Sequence, residues 1–422
     1  MSDALFPDLA PRPTSDQPET TAPRVETAQR DQVELRPCDL EALLPPDHAA
    51  RLVWRFVEGL DLTAFYAAIR AREGRAGRPA IDPKVLLALW LYAIMDGVGS
   101  AREVDRLCER HDAYRWLRGG VSLNYHTLSD FRVAHQAALD DLLTQSIATL
   151  RHRGLVTLAR VAHDGMRVRG SAGAGSFRRQ GTLAACLQEA QQQVARTAKQ
   201  TDAPVAARVE EALAQLPEVA ALKAKQGKKA TAPRVSTTDP DARVMKMADG
   251  GFRPAYNVHL ATDVDSRIIV GVRTLNTGSD QSQLGPMLDA VAQRLGTLPA
   301  VHLADGGFVS KAEITAAAAR DVTVYAPPMQ RRGAAPRALD EPTPGDSPAV
   351  VAWRARMASD AGKALYKARA ATAEWVNADA RTHRALGRVL VRGLTKVHTW
   401  ALWAALTHNM IRTLGIVPHT MS

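Results

Sequence analysis

The chain has 422 residues, 54 Lys plus Arg against 44 Asp plus Glu, a formal net charge of +10 and 46% hydrophobic residues. That length exceeds one ordinary domain and the apolar share excludes wholesale disorder. Cys38, Cys108 and Cys186 are far apart with no C-x-x-C pair, which excludes a disulfide framework and a cysteine zinc site. No apolar run approaches the roughly 18 residues that cross a bilayer, and the N-terminus lacks a secretory pattern, so a cytoplasmic protein without a membrane partner is expected. The charge surplus points to an anionic partner such as nucleic acid.

Residues 1–36 carry seven acids against four bases with no apolar period and read as a disordered leader, leaving about +13 on the remainder. Residues 37–150 read as an all-α, helix-turn-helix-like DNA-binding domain. Asp82-Pro83 opens the apolar run Val85 to Ile94, Ser100 with Glu103 has capping-box spacing, and Thr127 with Asp130 marks a third start. Its basic side chains include Arg102, Arg106, Arg115, Arg118 and Arg132, a set compatible with reading DNA.

From residue 151 the period changes. Leu158 to His163 reads as a short strand ending at Asp164-Gly165, residues 181–245 as a helical insertion closed by a basic linker, and Tyr256 to Thr262 with Arg267 to Leu275 as two strands joined by a turn. A helix (Gln281 to Leu295), a strand (Ala300 to Ala304), Asp305-Gly306-Gly307, a helix capped by Ser310 with Glu313, and a strand (Thr323 to Ala326) follow. Strands alternating with helices indicate an α/β layer. Residues 327–348 read as a loop and 350–414 as helix, broken near Gly393.

Asp164 and Asp305 each close an expected strand and precede glycine, where α/β proteins place their sites. Two hard oxygen ligands on adjacent strands suit Mg²⁺ or Mn²⁺. Between Arg151 and Gln180 seven arginines surround Asp164, the only acid of that stretch. From Ala361 onward nine Lys and Arg accompany only Glu374 and Asp379, and helical spacing puts Glu374 and Arg381 on one face. A carboxylate in a basic field is what a metal-dependent phosphodiester enzyme needs. The histidines show no H-x-x-x-H or H-E-x-x-H spacing, so zinc is not expected.

These pieces, in this order, resemble the DDE transposases of bacterial insertion sequences, in particular the branch with a tyrosine, arginine, glutamate, lysine signature. The resemblance rests on Gly77-Arg78-Pro79-Ala80-Ile81-Asp82-Pro83, Arg115-Trp116-Leu117, Leu128-Ser129-Asp130-Phe131-Arg132, His163-Asp164-Gly165, Gly251-Phe252-Arg253-Pro254-Ala255-Tyr256-Asn257-Val258 and Leu303-Ala304-Asp305-Gly306-Gly307-Phe308. It continues through Tyr366, Arg369, Glu374 and Arg381 to Arg392-Gly393-Leu394 and His408-Asn409-Met410. It implies an RNase H-like catalytic domain over 151–422, a mixed sheet flanked by helices, in which Asp164, Asp305 and Glu374 hold two divalent ions. It also implies DNA contacts by Tyr366, Arg369, Arg381, Arg115 and Arg132, with Asn257 and His163 beside the site. Arg381 stands where that branch often has lysine and Phe308 where tyrosine is usual. The implied activity is cleavage and strand transfer of double-stranded DNA by a homo-oligomer bound at terminal repeats. A nuclease of the same fold and a catalytically inactive DNA-binding regulator are the alternatives.

Overall fold

Capping side chains set the helices of the first third. The computed structural model describes residues 28, 39–71, 74, 79–197, 203–225, 232–329, 338 and 340–416. The expected leader, apart from residue 28, lies outside the described residues, as do Gly77-Arg78 and Lys228-Lys229. After α1 (Ala49–Glu58) and α2 (Thr63–Ala67), α3 (Pro83–Met95) starts where Asp82 accepts the Lys84 N–H at 2.9 Å and Pro83 fills the first helical position. Ser100 caps α4 (Ala101–Arg110), which leads into α5 (Asp112–Arg118). The start expected at Thr127 is corrected: Asn124 is the cap of α6 (Tyr125–Ala134), its Oδ1 accepting the Thr127 N–H at 3.0 Å. The long α7 (Gln136–His152) then runs to the sheet.

The first strand, β1 (Arg160–Arg169), is longer than the sequence indicated, so Asp164-Gly165 lies in mid-strand rather than at its end. The insertion is a helical hairpin, α8 (Gln180–Thr197) and α9 (Ala203–Lys225). Its ends are tied by a two-stranded ribbon, β2 (Phe177–Arg178) with β3 (Val235–Ser236), where the sequence had indicated only a linker on the second side. Next come β4 (Arg243–Lys246), β5 (Phe252–Asp263) and β6 (Ile269–Leu275). They are followed by α10 (Leu284–Leu295), β7 (Val301–Leu303), α11 (Lys311–Ala318) and β8 (Thr323–Tyr325). The main sheet has the order β4-β5-β1-β7-β8, with β6 also paired to β5. β5 runs antiparallel to β1, β4 and β6, whereas β7 and β8 are parallel to β1 and to each other.

The C-terminal third contains α12 (Pro348–Ala358), α13 (Asp360–Arg369), a π-helical turn (Ala370–Glu374), α14 (Trp375–His383) and α15 (Leu394–Leu414). α15 is buried nearly without a break from Val397 to Ile411, and a helix apolar on all sides belongs inside a fold. It packs on α3, α7 and β6, and one hydrophobic core runs from α1 through α7, β1, β5 and β6 to α15. Polar groups on its surface are matched individually. Asn409 exchanges two hydrogen bonds with the backbone of Ile269, accepting at 2.8 Å and donating at 2.9 Å, and so serves β6 as a strand neighbour would. Trp403 Nε1 donates to the Arg132 carbonyl at 3.0 Å.

Because Trp403 is fully buried between the helical region and α15, Trp403→Ala should lower stability by about 3 to 5 kcal/mol. Urea unfolding followed by far-UV dichroism and by tryptophan fluorescence should give superimposed transitions. A helical region melting separately from the sheet would contradict a shared core.

Candidate active site

Register brings the first two acids together. Ala162 of β1 pairs with Leu303 of the parallel β7, where the pairing ends; Asp164 and Asp305 each follow two residues further on, near enough for the charge of Asp305 to act on Asp164. Ala162 and Leu303 pack with Ala373 in a small apolar cluster, and Ala373 immediately precedes Glu374. Each acid therefore follows an apolar residue anchored in the same contact. The π-helical turn completes the placement. It spans five residues, one turn of a helix with an i to i+5 repeat, so Arg369 and Glu374 come together at its two ends.

Arg369 stands among the acids. Only 8% exposed, it reaches Asp164 Oδ1 at 3.0 Å and Glu374 Oε1 at 3.4 Å, and it donates to the Tyr366 hydroxyl. Asp164 Oδ1 also accepts the Gly165 N–H at 2.9 Å and its Oδ2 accepts from Asn377 at 3.2 Å. Asp305, exposed, accepts the Gly306 N–H at 2.7 Å. Burial pushes the Asp164 carboxyl above its ordinary value, with Asp305 and Asp280 adding to the rise and Arg369 and the Gly165 N–H opposing it. At Arg369 the balance is reversed: burial disfavours its charge, but Asp164, Tyr366, Asp305 and Glu374 together outweigh burial and hold the guanidinium more firmly protonated. Burial likewise raises the Tyr366 hydroxyl.

The two glycines after the acids serve space rather than turning. A Cβ on Gly306 would stand 2.5 Å from the Pro327 carbonyl oxygen. One on Gly165 would stand 3.0 Å from Asn257 Oδ1, Asp280 Oδ1 and His259 Nε2. Those three belong to a second layer on the opposite face of β1 from Asp164, as strand alternation requires. There Asp280 receives Arg167 through both oxygens (3.1 and 3.0 Å) and Asn257 at 2.7 Å. Although burial opposes it, bonds from His259, Asn257 and Arg167 hold the Asp280 carboxyl well below its usual range. His163 sits between His259 (3.1 Å) and His302 (3.3 Å), fully buried against Phe308. Burial, and then the neighbouring histidines, keep it neutral. Asn257 and His163 thus support the strand from behind.

The remaining expected residues are placed as follows. Arg381 is exposed on α14 in step with exposed Glu374 and Ala378. Arg115 is half-buried on α5 and pairs with Asp112 at 2.9 Å. Arg132 is turned inward, correcting the expectation of a DNA contact: 6% exposed, it donates to the Gly99 carbonyl at 2.6 Å, with its guanidinium 5.2 Å from the Trp90 ring centroid and 5.5 Å from that of Trp400. Sequence reasoning missed Asn377 and Asp280. Asn377 lies three residues past Glu374, a helical interval that could have flagged it.

Among the described residues no group of three or more His, Cys, Asp or Glu side chains stands close enough to hold a metal ion. The donor set nevertheless fits a hard divalent cation. Asp164 and Glu374 share one guanidinium with Asp305 near enough to add to its field, and the buried Asn377 Oδ1, on the amide that bonds Asp164, has no hydrogen-bond partner among the described residues.

Removing Arg369 leaves Asp164 without its counter-charge. Arg369→Met should cost about 3 kcal/mol at neutral pH. Because the Asp164 carboxyl already lies above its ordinary 3.8 in the folded chain, the variant's penalty is present above that raised folded value and is withdrawn as pH falls through it and the carboxyl takes a proton. Urea midpoints from neutral to acid pH should therefore converge with wild type; a constant gap would contradict the pairing.

Comparison with known families matches residues 38–134 to a transposase domain (DUF772) and residues 347–414 to a transposase DDE domain, the latter containing Tyr366, Arg369, Glu374 and Arg381. Asp164 and Asp305 fall between the two matched segments. No curated protein and no solved structure matches the chain. Similarity to transposase families at both ends of the described chain supports its place among the DDE transposases of insertion sequences.

Proposed function

We propose that the protein catalyses DNA cleavage and strand transfer for an insertion sequence, with Asp164, Asp305 and Glu374 as its acids. The observation carrying this reading is the pairing of Asp164 from β1 and Glu374 from the π-helical turn with a single buried arginine, whose charge Asp305 at the end of β7 also supports. The sheet supports an RNase H-like core: a central β1 with the antiparallel β5, itself antiparallel to β6, on one side and parallel β7 and β8 on the other.

In this mechanism water attacks phosphorus in line, leaving a 5′ phosphate as the 3′ oxygen departs as a hydroxyl; that hydroxyl then attacks a target phosphodiester, forming the new P–O bond as the target's own 3′ oxygen leaves and takes up the proton. Asp164, Asp305 and Glu374 would hold two divalent ions, Mg²⁺ or Mn²⁺, which when bound activate the attacking oxygen and stabilise the leaving one. Asn377 fixes the orientation of Asp164 through Oδ2. Tyr366 and Arg381 would flank the cut phosphate, with Arg369 beside them as a further N–H donor. Arg115 and its helical region would bind the terminal repeats, and two copies each holding one DNA end make the working assembly. No helix of the described residues is long and apolar enough to cross a membrane.

Asp164→Asn, Asp305→Asn and Glu374→Gln should each abolish joining of a 3′-hydroxyl donor end to a plasmid while leaving gel-shift affinity for the end within a few-fold. Strand transfer by any one of them at the wild-type rate would remove that residue from the assignment. Products cut but never joined would favour the nuclease alternative.

A cation bound only by the folded state raises stability by about 2.7 kcal/mol at a hundredfold excess over its dissociation constant. Millimolar Mn²⁺ should therefore raise the melting temperature of the wild type but not of an Asp164→Asn/Asp305→Asn double variant. An equal shift in both would place the cation elsewhere.

A further inference from the structure

Trp375 follows Glu374 and opens α14. The Arg267 guanidinium lies 5.0 Å from its ring centroid and that of Arg412 6.0 Å, while His408 meets the indole edge-on at 6.0 Å. Arg267 belongs to the turn between β5 and β6, and Arg412 to the last turn of α15. Three elements remote in sequence thus set two cations on one ring. The exposed carboxylate of that turn, Asp265, is taken by Arg160. Among the described residues no acid pairs with Arg267 or Arg412.

The backbone at Arg267 adds a second observation. Its φ is +59°, the left-handed region that glycine occupies freely and a side-chain-bearing residue enters only under strain. The strain is held in place, because the Arg267 N–H donates to the Asp263 carbonyl at 2.9 Å and its own carbonyl accepts from His408 Nε2 at 2.9 Å. For the backbone alone glycine would serve better. The arginine there supplies something the turn does not need: a guanidinium presented from a fixed point.

Stacking on an indole orders a guanidinium without consuming its N–H donors, which leaves the planar fork available to phosphate oxygens. We propose that Arg267 and Arg412, held on Trp375, form a phosphate-binding site that grips the DNA backbone beside the acidic centre. This rests on the reading of that centre as one that cuts DNA. The site touches no base, so its contribution is independent of sequence and governed by counterion release.

The test uses the full chain and a labelled duplex of arbitrary sequence, with binding measured by anisotropy across a salt series. In Arg267→Gly/Arg412→Gln, glycine relieves the strained φ and glutamine keeps the helix, so the melting temperature should equal or exceed that of wild type. The slope of log affinity against log salt should fall by roughly 1 to 2, with affinity at low salt reduced about tenfold or more. Arg267→Asn, which also tolerates this backbone, is the second variant should glycine loosen the turn. A folded variant with wild-type slope and affinity would overturn the phosphate site alone. A wild-type chain with no salt-dependent binding to duplex DNA would overturn the underlying reading as well.

Discussion

A carboxylate in a strand packed on both faces must find a counter-charge, and that requirement at Asp164 organises the site. Removing an ion from water costs several kcal/mol even after the protein relaxes, and an unpaired charge has no means of recovering it. Arg369 supplies the opposite charge at 3.0 Å, Asn377 a donor to the second oxygen, and the Gly165 N–H a third bond. The carboxyl nonetheless stays above its ordinary pKa, so these partners offset only part of the burial. A residue held against its own solvation is what a functional site retains and a merely stable core discards.

Two local departures from regular structure make the pairing possible. The π-helical turn inserts the extra residue that sets Arg369 opposite Glu374, and it lies where Ala373 must also meet Ala162 and Leu303. An ordinary α-helix would carry one of those contacts round to another face. The second departure is the missing side chain at residue 165. β1 has helices over one face and a histidine, asparagine and aspartate layer against the other, and any Cβ at Gly165 would press on three of those polar atoms at once. In that layer neutral His163 packs against Phe308 and Asp280 is locked by Arg167. It backs the strand while Asp164 stands on the opposite face.

Much of this was legible in the sequence. Asp-Gly pairs after apolar runs marked Asp164 and Asp305, and the basic helix around Glu374 marked the third acid. Aspartate and serine caps read correctly at Asp82 and Ser100 because capping depends on residues within three positions. What was not legible depends on distant partners. The length of β1 is set by its pairing to β5, so Asp164 moved from strand end to mid-strand without a local cue. Asp280 matters only because Asn257, His259 and Arg167 fold onto it. Arg132 was read outward because arginines mostly face water, yet here two tryptophans and a carbonyl receive it, and one of those tryptophans comes from α15.

Charge at the centre then constrains the order of events on the proposed reading. Asp164, Asp305 and Glu374 contribute three negative charges and Arg369 one positive, leaving two negative charges where a phosphodiester has to approach. A phosphate would meet net repulsion there, stronger for being close to the half-buried Asp164 than it would be in open water. On that reading one divalent cation held by these residues would cancel the surplus and a second would reverse it. The acidic cluster would then attract DNA only once loaded, whereas cations placed outside it, such as Arg381 on the exposed face of α14, would attract the backbone at any stage. Separating the two roles lets the chain collect DNA through its basic surface while the cutting centre itself stays closed to phosphate until its ligands are satisfied.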